Sequence, residues 1–283
     1  MKIILSRKGF DSSCGGVPSP ILPDGTLYSL PIPSQDSPIT YDELRLGKGR
    51  LGPLVEALTN HRVRRGHGAH LDPDLRPSAY PRLPGWRPLF GQDGTAQAHL
   101  ENEGVDVGDL FLFFGWFRQT ERTEQGFRFM RGAPDLHVLF GWLQIGAVVS
   151  LDDSRSELPS WARYHPHVHG DSEGNNTLYV ARRRLDLDGS GHGAAGGGVF
   201  RSYNQRLCLT ARGQTRTRWR LPGWFFPADG RRPLTYHRNR ERWRRTEDHT
   251  LLRSVPRGQE FVLDTDDYPE AVAWARNLIM SVD

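Results

Sequence analysis

The segment HPHVHG, residues 165–170, gathers metal-ligating side chains more densely than any other stretch of the sequence. If it is extended, the two-residue period of a strand turns His165, His167 and His169 to one face, where three imidazoles can converge on an ion. Pro166 confines such a segment to a sheet edge or a loop, and surface histidines or a hydrogen-bonded loop would be spelled the same way. A second cluster, His70, Asp72 and Asp74 in GAHLDPDL, is interrupted by Pro73 and so fits neither a regular helix nor a central strand. With His70 as a further ligand, its carboxylates and the later histidines can form a mixed nitrogen and oxygen set suited to zinc or iron; alternatively Asp72 and Asp74 can do acid–base work. Asp-Pro-Asp is equally an ordinary turn.

A third group lies at the N-terminus, where KIIL reads as a strand that empties into SRKGFDSSCGG, residues 6–16. Ser6, Arg7, Lys8, Asp11, Ser12 and Ser13 thereby sit at a strand end followed by glycines, a layout that can hold an anion between basic side chains and bare backbone N–H groups. Asp11 is a further acid–base candidate. The loop matches neither the Walker A pattern nor G-x-G-x-x-G, and a structural turn capped by Asp11 and Ser12 is the competing reading.

These groups need a scaffold, and the stretch from Val105 to Asp153 supplies it. LFLFFGWF (110–117) and LHVLFGWLQIGAVVSL (136–151) are rich in aromatic and β-branched residues and predict two buried strands, with Phe127, Phe129 and Met130 between them forming a short strand or lining a cavity. Both runs contain Phe-Gly-Trp, and a glycine inside a strand marks a bulge or a close approach. Trp116 and Trp142 beside such gaps, with Gln144 or Asp109 at a ring edge, would make a pocket for a flat ring; core filling is the alternative. Around this centre the spacing predicts a turn at Asp24-Gly25, short helices over 41–46, 52–59 and 96–104, strands over 177–181, 199–203, 207–210 and 258–263, and a C-terminal helix over 268–280. GSGHGAAGGG, residues 189–198, reads as a flexible loop.

The expected class is α+β: one β-rich domain over 1–283 with a central mixed sheet or a PUA-like partial barrel over 105–181, short peripheral helices and a helix at the end. A chain of 283 residues can bury a core without metal or disulfide staples. Cys14 and Cys208 lack metal-ligand spacing, and no run is long enough for a membrane span or secretory signal, which points to a reduced, cytoplasmic protein. The net charge of +4 is unevenly spread: 182–257 holds ARRR, RGQTRTRWR, GRR and RNRERWRR, with Trp219 and Trp243 among the arginines. Arginine forks on phosphate and aromatic faces on bases suit a nucleic-acid surface; a solvated face is the alternative.

SRKGFDSSCGGVPSPILPDG, GAHLDPDL, HLENEGVDVGDLFLFFGWF, DLHVLFGWLQIG, HPHVHG and NTLYVA together resemble the nucleotide modification associated domain 3 family over nearly the whole chain. The resemblance implies a bacterial or phage-linked protein found beside DNA base-modification systems, with nucleotide or nucleic acid as partner and DNA ahead of RNA. It carries over no mechanism. More weakly, VGDLFLFF followed by FGWLQIGAVVSLDD is similar to PUA-like and EVE-like barrels, whose later strand closes a base-binding pocket. Two classes of function stay open: a module that binds a nucleotide or modified base, and an enzyme that acts on one, with the histidine cluster holding a divalent metal.

Overall fold

The two apolar runs become the longest strands of the molecule, paired with each other. The computed structural model describes residues 1–170, 174–189, 193–228, 230–256 and 258–281. Its first part contains β1 (Lys2–Arg7), β2 (Ser19–Ile21), β3 (Ile32–Pro33), β4 (Arg45–Leu46), β5 (Gly49–Arg50), helix α1 (Gly52–Leu58), β6 (Ala69–His70), β7 (Leu89–Gln92) and helix α2 (Gly94–Asn102). The centre is β8 (Leu110–Thr123), β9 (Gly126–Phe129) and β10 (Leu136–Ser150), followed by a short α3 (Leu151–Ser154). Then come β11 (Thr177–Ala181), β12 (Gly197–Val199), β13 (Arg218–Pro222), β14 (Trp243–Arg245), β15 (His249–Arg253), β16 (Glu260–Asp264) and α4 (Glu270–Met280).

The main sheet runs β16-β1-β8-β10-β11-β7, with β2 and β9 added to β8 and β12 to β10. It is mixed: β1 and β2 run parallel to β8, whereas β16 on β1 and β10 on β8 are antiparallel. The sheet stays open, and no closed barrel forms among the described residues. Leu110 to Phe114 are fully buried, so β8 is covered on both faces, which is why it reads as an unbroken apolar run and not as an alternation. Phe111 packs with Phe90, Phe113 and Tyr179, while Phe114 packs with Trp219 and Phe261. Each such ring contributes roughly 1.5–3 kcal/mol by leaving water.

Both Phe-Gly-Trp glycines are sites of close approach. A Cβ on Gly115 would lie 2.7 Å from the Lys8 carbonyl oxygen, so Gly115 lets the end of β1 press against β8. At Gly141 the β8–β10 register shifts past Phe140, and a Cβ would meet Leu75 and the Gly198 carbonyl. Gly197–Val199 pair with β10 at this point, so the last part of the expected 189–198 loop is a strand; residues 190–192 lie outside the described set, as do 171 and 257. Its glycines are packing requirements: Pro88 and Trp142 leave no room for side chains.

Other expectations shift as well. Over residues 41–46 a turn at 41–44 leads into the β4–β5 pair, because Tyr41 and Leu44 are anchored in a separate apolar cluster under α1 in place of lining a helix face. The 207–210 strand is replaced by a 3-10 turn over Gln205–Leu207 and isolated bridges from Cys208 and Thr210. Trp219 and Trp243 point inward: Trp219 is fully buried and Trp243 nearly so, with indole N–H groups donating to His137 Nδ1 and the His237 carbonyl. The arginines beside them face out. In the sheet β13-β15-β14, Arg218 lies opposite Arg253, and Arg220 and Arg244 flank Leu251, so alternation separates an apolar underside from an arginine face. Cys14 is exposed and Cys208 buried, both as free thiols, and no described helix is long and apolar enough to cross a membrane.

Candidate functional site

Parallel pairing brings the C-terminal end of β1 beside the middle of β8, and the chain leaves β1 into the glycine-rich loop over a cavity of about 440 Å³. Arg7, Lys8, Asp11 and Ser12 line it from this loop, Trp116 from β8, His70 and Asp72 from β6 and the turn after it, and His167 from the turn before β11. The N-terminal loop, the His70–Asp72 turn and the histidine segment thus share one cavity with Trp116, one of the two Phe-Gly-Trp indoles.

The N-terminal loop is rigidly tied. Asp11 Oδ1 accepts the N–H groups of Ser13 and Cys14, both at 2.7 Å, and the Asp11 carbonyl accepts from Gly16. Those three N–H groups are consumed within the turn, and Arg7 and Lys8 bring cationic side chains to the same cavity. Arg7 donates through Nη1 to the Pro256 carbonyl at 2.8 Å. Burial lowers its pKa, with Asp11 raising it and Arg216 lowering it further, which places these three charges in mutual range. Arg216, which spacing alone did not single out, lies with its guanidinium 4.3 Å from the centre of the Trp116 ring. The indole is fixed at its edge by Nε1 donating to Asp135 Oδ1 at 2.7 Å. Among the described residues neither Arg7 nor Arg216 has a carboxylate partner in a salt bridge.

His137 adds a directed donor. Because the Trp219 indole N–H donates to its Nδ1 at 3.0 Å, the neutral ring carries its proton on Nε2, and the ring lines the cavity. Burial, aided by Arg216 and Arg7, pushes its pKa down to about 3, so it stays neutral. Lys8 lies between this cationic end and the histidines. Its Nζ is 3.0 Å from Glu260 Oε1, 3.2 Å from Gln259 Oε1 and 4.6 Å from the centre of the Phe90 ring. Glu260 Oε1 also accepts from Gln92 and Ser6.

At the other end, Pro166–Val168 is a 3-10 turn, so His165, His167 and His169 do not share a face. His165 is fully buried, its Nδ1 accepting the His167 N–H and its Nε2 lying 3.2 Å from Asp72 Oδ1. His169 is exposed and bonded to the Arg163 carbonyl, outside the cavity. His167 alone of the three reaches the cavity, because Gly91 makes room: a Cβ there would lie 2.3 Å from the imidazole. Asp72 Oδ1 accepts the Gly91 N–H at 2.7 Å. Burial would raise the Asp72 pKa, but the His165 hydrogen bond and the neighbouring imidazoles bring it down to about 2; burial drives His70 down to about 4. Asp72 is therefore held as a carboxylate beside a His70 ring that burial keeps uncharged.

The remaining candidates are committed elsewhere. Asp74 is buried against Arg82, with oxygens 2.6 Å from both terminal guanidinium nitrogens and a bond from Tyr164. Ser6 is buried beneath the cavity floor on Glu260. Gln144 bridges Gly108 and Asp186, and Asp109 accepts from the N–H groups of Lys2 and Asp106. Trp142 packs on Phe200 with Nε1 donating to the Ala195 carbonyl, opposite Leu112 in the sheet, whereas Trp116 lies opposite His137. The two indoles do not face one pocket.

The family model of the nucleotide modification associated domain 3 matches residues 2–264, a span that includes every residue lining the cavity. No curated protein and no solved structure matches the chain.

Proposed function

The chain belongs to the nucleotide modification associated domain 3 family, a membership that links it to nucleotide or DNA modification, and from that premise we propose that the cavity binds a nucleotide or modified base. The observation that carries this reading is the meeting of Arg7 and Arg216, two guanidinium groups with no salt-bridged carboxylate among the described residues, beside the Trp116 ring and the neutral His137. Planar forks match phosphate oxygens two at a time, and a guanidinium stacked on an indole is a rigid platform from which to do so. The volume of about 440 Å³ lies within the range of small-ligand sites. His137 Nε2–H and the side chains of Gln92 and Gln259 supply directed polar contacts for the sugar or base edge. Asp11 and Asp93, also in the wall, disfavour a ligand carrying negative charge throughout, which selects one with an anionic end and a neutral body.

Thermal unfolding with added deoxynucleoside 5′-monophosphates tests this. A ligand at one hundred times its Kd stabilises the folded state by about 2.7 kcal/mol, and matched nucleosides without phosphate should give a smaller shift. Replacing Arg7 and Arg216 by Ala should remove the difference between the two ligand classes. Equal shifts with nucleoside and nucleotide would refute an arginine-held phosphate.

A further inference from the structure

His70, Asp72 and His167 each offer one ligand atom, and these atoms lie within 4.8 Å of one another. His70 and Asp72 stand on one segment and His167 joins them from far along the chain, and nothing in the binding of a phosphate requires the three to meet. We infer that the three side chains form a site for a divalent first-row transition cation, with the coordination positions facing the cavity left open.

The hydrogen-bonding pattern around His167 is that of a ligand held for a metal. The Asn176 side-chain amide donates to the His167 carbonyl at 2.8 Å, which turns its oxygen toward the ring, 2.9 Å from Nδ1. An oxygen there must accept, so Nδ1 carries the proton and Nε2 keeps its lone pair. That lone pair faces Asp72 Oδ2 at 3.9 Å. Two electron-rich atoms opposed in a nearly closed space call for a positive centre between them. A proton could serve one nitrogen, but His70 brings a second, and its ring nitrogens make no hydrogen bond among the described residues. Asp72 Oδ1 is engaged by Gly91 and approached by His165, which holds the carboxylate with Oδ2 turned to the same point. Asn176 and His165 are thus the outer partners that fix orientation, an arrangement usual around metal ligands.

Two nitrogens and one carboxylate oxygen, with no thiolate, suit iron(II), manganese(II) or zinc. Bonds of about 2.1 Å need the donors a little closer together than they stand, and His70, unanchored at its ring, is the one able to close. Lys8 is the nearby charge that would oppose a cation, and its ammonium is paired with Glu260 at 3.0 Å. The inference rests on the ligand geometry and not on the nucleotide reading. A titration with metal alone therefore separates the failure of one from the failure of the other.

Chelator-treated protein titrated with Co²⁺ should develop the visible absorption of a bound ion at one equivalent, and Zn²⁺ should compete for it. His167→Gln, Asp72→Asn and His70→Gln should each weaken binding at least tenfold, and Asn176→Ala by 10- to 100-fold through loss of orientation. His169→Gln should match wild type. If a buried variant fails to fold, His70→Gln still decides the matter, since that ring anchors no hydrogen bond. Absence of a stoichiometric signal, or equal affinity in wild type and His70→Gln, would overturn the inference.

Discussion

Lys8, just past the first strand and in the wall of the cavity, meets Glu260, in the last strand, at 3.0 Å, with the glutamate 1% exposed and the lysine 10%. The pair ties the two ends of the chain together at the point where the ligand is expected, and Glu260 Oε1 is the shared acceptor of Ser6, Gln92 and Lys8. Removing one partner of so enclosed a pair leaves an uncompensated charge. Glu260→Gln should therefore lower unfolding free energy by about 3 kcal/mol, whereas the double variant Lys8→Met with Glu260→Gln should recover part of the loss. Chemical denaturation of the three proteins checks this, and purely additive losses would show that the two charges are not coupled.

The two tryptophans of the repeated Phe-Gly-Trp should separate cleanly. Trp142→Ala empties a core position against Phe200 and should cost about 3–5 kcal/mol, with ligand affinity of the folded fraction unchanged. Trp116→Ala should cost much less stability and at least tenfold in nucleotide affinity, because Arg216 loses the surface it rests on. Denaturation and binding measured on both variants distinguish these outcomes; a stability loss alone for Trp116→Ala would place that residue in the core.

Buried neutral histidines set the acid sensitivity. Burial pushes His137 down to about 3 and His237 down to about 4, against about 6.5 in the unfolded chain. As pH falls below 6.5 the unfolded state binds protons that the folded state refuses, so stability is whole above 6.5 and declines toward 4. The slope is about 1.4 kcal/mol per pH unit for each group. Melting temperatures across this window should fall on acidification, more gently in His137→Gln. An identical pH profile in that variant would remove His137 from the account.

The arginine face of the β13-β15-β14 sheet predicts salt-sensitive association with DNA. Arg218, Arg220 and Arg244 are exposed and project from one side. Reversing all three to Glu should weaken binding to duplexes of any sequence and reduce the log–log salt slope by about one for each arginine lost. Wild-type protein that shows no salt-dependent binding would leave this face merely solvated.

Strands were legible where composition and boundaries agree: LFLFFGWF, rich in aromatics and bounded by Gly and Asp, favours a buried strand over a helix, and the doubled glycines announced crowding at 115 and 141. The site was legible as a set of polar segments and not as a geometry. His165, His167 and His169 suggest a shared face only if the backbone is extended, and Pro166 at the start of a 3-10 turn turns one ring to the cavity, one beneath it and one to solvent. His137 was hidden because it lies within an apolar strand, and Arg216 because its neighbours in sequence are arginines of the outer face. Gly91 and Asn176 gave no local sign at all, since their roles depend on His167 arriving from elsewhere. Gly197–Val199 misled through composition: small residues there satisfy packing against Trp142 and Pro88 and form a strand.

The most direct test of the central claim is the structure of the protein with a bound deoxynucleoside 5′-monophosphate. The account predicts phosphate oxygens at about 2.7–2.9 Å from the guanidinium nitrogens of both Arg7 and Arg216, the charge-assisted distance, with the nucleoside extending past His137 into the cavity. A nucleotide bound outside this cavity, or within it but with its phosphate turned away from both arginines, would contradict the claim.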